Sequence, residues 1–171
     1  MITSINNQLS AQSRTWVYQS NRKFSDSESA IITNRIEDFV AQWTSHKMGV
    51  TGYGELLFNR FIILMADENH VEVGGCSVDS SVHFVRSLGN EFQVNFFDRW
   101  LIAYKQNDEV ITCTRAEFEK LVESGQVNDE TIVFNNLVQT KAELESKWQL
   151  AYKDSWLKNL SPVNSSFSGV L

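Results

Sequence analysis

A chain of 171 residues with 42% apolar and 21% charged side chains can bury a core without disulfide or metal staples. Its net charge of -6, with no basic run longer than Arg22-Lys23, counts against a non-specific nucleic-acid binder, which needs clustered Lys and Arg for phosphates. Two cysteines are too few for a disulfide framework, and no stretch approaches the ~18 apolar residues of a membrane span.

Residues 1–13 are polar and read as a flexible N-terminal arm. The first of them lack the basic region and apolar core of a signal peptide, so a cytoplasmic location with reduced thiols is expected. Residues 15–19 alternate apolar and polar side chains and predict a strand. Ser25-Asp26-Ser27-Glu28 is a capping box, with Ser25 facing the backbone donor at Glu28. The helix it opens carries Ile32, Ile36, Phe39, Val40 and Trp43 on one face. Residues 53–58 and 60–66 predict two further strands, the second apolar on both faces as a central strand is. Only Asn59 at their junction tolerates a left-handed turn easily, so one long bent strand is the alternative.

A helix opening near Cys76 follows, with Val78, Val82 and Val85 on one side and Gly89 as its expected stop. Residues 94–105 read as a strand, turned at Gln106-Asn107-Asp108 into a partner over 109–114. Thr114-Arg115-Ala116-Glu117 is a second capping box, for a short helix ending near Gly125. Residues 131–134 predict a last strand. Thr140-Lys141-Ala142-Glu143 is a third box, for a C-terminal helix bearing Leu144 and Trp148. The order β-α-β-β-α-β up to residue 105 is the ferredoxin-like split arrangement. It predicts an α+β class with a mostly antiparallel sheet, helices on one face, and an added hairpin and C-terminal helices. A single domain over 14–160 and a flexible tail over 161–171 complete the expected organisation.

The densest group of reactive side chains is Gly75-Cys76-Ser77-Val78-Asp79-Ser80-Ser81-Val82-His83. A thiol in the first turn of a helix meets free backbone donors and the positive end of the dipole, and both favour thiolate. Cys76 is therefore the candidate nucleophile. His83 lies seven residues on, about 10 Å along a continuous helix, too far to pair with it. Asp79 and His83, four apart, can meet, while a base for Cys76 would come from His46 or His70. The competing reading is that Cys76 packs as a small apolar group, that Ser77 or Asp79 caps the helix, and that Gly74-Gly75 permits a turn. Ser77 and Ser80 are candidate ligand contacts. Cys113 shares a strand face with Ile111 and reads as core.

Other candidates are weaker. Asn59-Arg60 and Asp98-Arg99 lie beside aromatic residues, where Arg60, Asp98 and Arg99 form a structural bridge or clamp a carboxylate or phosphate. Asn135 and Asn136 suit a turn, and would otherwise hold a peptide backbone. Asp67-Glu68-Asn69-His70 offers oxygen and nitrogen donors, but three scattered histidines give no zinc spacing, so no metal is expected. Trp148, Tyr152 and Trp156, four apart, read as a core stripe on the last helix, or as a docking face if exposed.

No Walker A loop, G-x-G-x-x-G after a strand, H-E-x-x-H, C-x-x-C or G-x-S-x-G occurs, and no cofactor is expected. Six blocks taken together do carry a resemblance: Trp16-Val17-Tyr18-Gln19, Asn59-Arg60-Phe61, Asp67-Glu68, Gly75-Cys76-Ser77-Val78-Asp79-Ser80, Phe97-Asp98-Arg99 and Val133-Phe134-Asn135-Asn136. Over roughly residues 14–160 the chain resembles a family of small cytosolic Bacteroidetes proteins often labelled "ABC transporter ATPase". An ABC ATPase needs a Walker A loop and a signature motif, and the chain has neither. The resemblance thus implies a free-standing bacterial cytosolic protein and transfers no catalytic residue. The expected function is a non-catalytic binding or regulatory module for a protein or small molecule, using a groove beside the Cys76 helix. The alternatives are a thiol-dependent enzyme with Cys76 as nucleophile and an RNA- or ribosome-associated factor, the latter opposed by the net charge.

Overall fold

The structure, a computed structural model, describes residues 8–45, 51–67 and 75–160, and the side chains of these except 44, 45 and 75–77. It is mixed α+β, with two antiparallel sheets. The chain gathers into two compact units, Met1–Arg99 with Asn135–Trp148, and Trp100–Phe134 with Gln149–Leu171.

The first unit is built on a three-stranded sheet of β1 (Arg14–Gln19), β2 (Thr51–Leu57) and β3 (Phe61–Asp67), in the order β1-β3-β2. Every residue of β3 from Phe61 to Ala66 is buried, as its unbroken apolar run predicts. On one face lie α1 (Asp26–Ser45) and α2 (Gly75–Phe92). Ile32, Ile36 and Trp43 of α1 meet Ile62, Leu64 and Ala66 of β3 and Val85 and Leu88 of α2. Phe39 and Phe84 stack at 4.3 Å and join the two helices. At Gly54 the side chains of α1 press on the sheet: a Cβ there would lie 2.5 Å from Ile36 Cγ2.

The box that opens α1 is reciprocal, Glu28 N donating to Ser25 Oγ and Ser25 N to Glu28 Oε2. Arg22 reinforces it with a forked pair to Glu28 at 2.8 and 3.0 Å and a bond to Phe92 O. These contacts pull the Glu28 carboxyl down to about 2, the Arg22 hydrogen bond being the largest cause.

The opposite face of the sheet is covered too, which corrects the expectation of helices on one face. Trp148 is fully buried, with its ring 5.1 Å from Phe61 and 6.0 Å from Phe58. It closes the segment that contains α4 (Lys141–Lys147). A complete ferredoxin-like sheet would place the fourth strand on β1. Instead Thr15 N donates to Gln139 O, Arg14 bridges Thr140, and β4 belongs to the other sheet. Residues 8–13, read as part of a loose arm, are tied down: Leu9 and Ser13 are buried, Lys141 Nζ donates to Leu9 O, and Ser10 N to Asp67.

Three further differences have local causes. Phe58 shares the left-handed conformation with Asn59, as a type I′ turn requires, and its contacts with Phe61 and Trp148 hold it there. The outcome is a hairpin, not one bent strand. Helix α2 runs past Gly89 to Phe92 and ends with Gln93 left-handed and Val94 N bonded to Gly89 O. Gly89 is needed because the returning chain passes close, a Cβ lying 2.9 Å from Val94 O. The strand expected over 94–105 is irregular until β4 (Ile102–Gln106).

The second unit carries β4, β5 (Glu109–Cys113), β6 (Ile132–Phe134) and β7 (Gln149–Ala151) in the order β5-β4-β6-β7. Asn107 and Asp108, both left-handed, form the two-residue hairpin turn between β4 and β5. Helix α3 (Arg115–Glu123) opens with the expected box at Thr114 and Glu117 and is followed by left-handed Gly125. Phe118 enters edge-on between Tyr104 and Tyr152. The expected last strand is not the last, because β7 pairs with β6. That pairing also ends the C-terminal helix at Lys147, so Trp148, Tyr152 and Trp156 do not share a helix face. Tyr152 and Trp156 instead begin two 3-10 turns.

Candidate functional site

Helix α2 places Asp79, Ser80 and His83 in solvent, and among the described residues neither a hydrogen bond nor an ion pair joins Asp79 to His83. The backbone of Cys76 and Ser77 lies in the first turn of α2, whereas their side chains, together with His46, Glu68, Asn69 and His70, lie outside the described residues. Ser81, beside them, is buried and structural, donating from Oγ to Val78 O at 2.7 Å. Burial pushes the phenol of Tyr18 on β1 up, and a hydrogen bond with Ser81 works against that.

Three further polar candidates of the first unit are engaged in the fold. Arg60 is buried, its Nη1 donating to Ser20 O and its own carbonyl accepting from Ser20 N. Asn136 spends both ends of its amide inside: Nδ2 donates to Gln19 Oε1 at 2.7 Å, and Oδ1 accepts from Trp148 Nε1 at 3.0 Å. Asn135 accepts from Leu137 N and donates its backbone N–H to Trp148 O, which makes it the turn residue its composition suggested. Asp98 is half-buried and Arg99 exposed, on irregular chain where a strand was expected. Among the described residues no group of His, Cys, Asp and Glu could hold a metal ion, and no helix is long and apolar enough to cross a membrane.

Two hollows of the second unit lie on either side of α3. The broader, of about 490 Å³, is bordered by Cys113, Glu117, Lys120 and Ser124. Two of its polar groups are engaged: Glu117 accepts from Thr114 N and Oγ1, and Ser124 Oγ donates to Leu121 O. Burial, with the Glu117 carboxylate nearby, pushes the Cys113 thiol up to about 11, so it is a poor nucleophile at neutral pH. Cys113 packs with Tyr104 and Phe118, as core.

The second hollow is an apolar cleft. Ile102 of β4, Phe118 and Val122 of α3, and Tyr152, Leu157 and Leu160 of the C-terminal turns leave about 180 Å³ between them. A cavity of about 150 Å³ holds one benzene ring, while drug-sized ligands occupy roughly 300 Å³ or more. The cleft therefore fits one large side chain and excludes a nucleotide-sized cofactor. Arg115, Glu119 and Glu123 of α3 rim it. Leu160, at its wall, remains 40% exposed, and Trp156 on the preceding turn 43%.

This cleft was not among the sequence candidates. Phe118 and Val122, four apart on a capped helix, are an apolar pair visible in the sequence. The spacing of Tyr152 from Trp148 predicts a helix, and only the β6–β7 pairing sends it toward α3. No family model, curated protein or solved structure matches the chain.

Proposed function

We propose that the chain is a non-catalytic binding module that seats one apolar side chain of a partner in the cleft beside α3. The observation that supports this reading is the cleft itself: six apolar or aromatic walls around a space of about 180 Å³, with Leu160 left partly in water. Covering such surface on binding is favourable because water is released from it. Burying one large side chain supplies about 1.5–3 kcal/mol. A millimolar complex already needs about 4 kcal/mol. The partner must therefore add contacts around the socket, which suits a reversible, regulatory interaction.

The resemblance to the Bacteroidetes family belongs to the same proposal, as a cytosolic role without ATP hydrolysis. We also read β1-α1-β2-β3 as a split β-α-β core whose fourth strand position is taken by residues 139–140.

The test is thermal unfolding with and without toluene, in the native chain and in Val122→Phe, which fills the cleft. The reading predicts that toluene raises the unfolding midpoint of the native chain and leaves that of Val122→Phe unmoved. No rise in the native chain, or an equal rise in both, contradicts it.

A further inference from the structure

We infer that the occupant of the cleft is a peptide segment that carries a lysine or arginine beside its apolar anchor. This rests on the cleft being a binding site and concerns what its rim selects. Arg115, Glu119 and Glu123 succeed one another at four-residue intervals, so they line one edge of α3. Arg115 Nε donates to Glu119 Oε1 at 3.2 Å, and the two balance each other. The Glu123 side chain is exposed and makes no hydrogen bond or ion pair among the described residues. The rim thus presents one acidic group in excess.

Its position adds to the effect. Glu123 is the last residue of α3, where the unpaired carbonyl groups of the final turn concentrate partial negative charge. A carboxylate there opposes the helix dipole, and an incoming cation relieves both charges at once. Lys120, the basic residue of that last turn, borders the other hollow. At longer range the net charge of -6 favours the approach of a basic partner. A peptide fits better than a small amine because Leu160, 40% exposed at the cleft wall, offers apolar surface beyond the socket. Socket and charge together define the ligand: a Phe- or Leu-sized side chain in the cleft, with an ammonium or guanidinium next to it over Glu123.

The probes are two capped tetrapeptides, acetyl-Ala-Phe-Lys-Ala-amide and acetyl-Ala-Phe-Glu-Ala-amide, titrated at low salt into the ¹⁵N-labelled full chain and its Glu123→Gln variant. Amide shifts in the second unit give the affinities. The expected result is a preference for the lysine peptide of about 3–10-fold, shrinking with added salt and lost in Glu123→Gln. Equal affinities, or a preference that survives Glu123→Gln, overturn the basic-peptide inference while leaving the apolar socket intact. Absence of saturable shifts with either peptide, in a chain whose midpoint still rises with toluene, overturns the peptide and keeps the small-molecule socket.

Discussion

Strand β3 of the first unit and helix α3 of the second show two ways of treating apolar surface. β3 is closed in on both faces, by α1 and α2 on one and by Trp148 on the other. α3 buries Phe118 but leaves Val122 beside a cleft that no described side chain fills. In the first unit two polar residues that looked functional are engaged in the fold, Arg60 with Ser20 and Asn136 with Gln19 and Trp148. Polarity in the sequence therefore pointed away from the apolar cleft beside α3.

The strongest way to break this contrast is Trp148→Ala. Removing a fully buried indole from between Phe58 and Phe61, and orphaning Asn136 Oδ1, should cost about 3–5 kcal/mol in urea unfolding. A loss below about 1 kcal/mol would mean that the second face of β3 is not closed as described.

Gly54→Ala probes the other face. Its Cβ would press on Ile36 Cγ2, Val40 Cγ2 and Leu64 Cδ2 at 2.5, 2.9 and 3.1 Å, for an expected cost of about 1–3 kcal/mol. The much larger insertion Val122→Phe enters existing space and should cost less than about 1 kcal/mol in the same measurement. If the order of these two variants were reversed, the difference in packing between the units would be gone.

The smallest effect is chemical. Because the Cys113 thiol is raised to about 11 in the folded state, its contribution to stability is whole below the ordinary thiol range and is lost as pH rises through about 11. In a Cys76→Ser background, iodoacetamide should label Cys113 slowly until the pH approaches that value or the chain unfolds. Rapid labelling at neutral pH would show that the thiol is not buried against Phe118.

Local signals in the sequence were reliable where only neighbours decide. The boxes at Ser25 and Thr114 form as written, whereas at Thr140 only half the box does: Glu143 N reaches Thr140 Oγ1, but the Glu143 carboxylate bonds Gln139 N. The face of α1 was legible because five apolar residues repeat with the helix. What failed depended on distant partners. Phe58 is left-handed because Phe61 and Trp148 hold its ring, and neither contact is visible locally. The Trp148-Tyr152-Trp156 spacing imitates a helix, but β7 forms because β6 is there to pair with it. The cleft joins residues 102, 118, 122, 152, 157 and 160, which nothing in linear order brings together.

The measurement that tests the central claim most directly is methyl NMR of the chain labelled at Ile, Leu and Val, titrated with toluene. The account predicts saturable shifts at Ile102, Val122, Leu157 and Leu160, with Ile62, Ile63 and Leu64 of β3 silent. Shifts centred on β3, or none that saturate at the cleft, would contradict it.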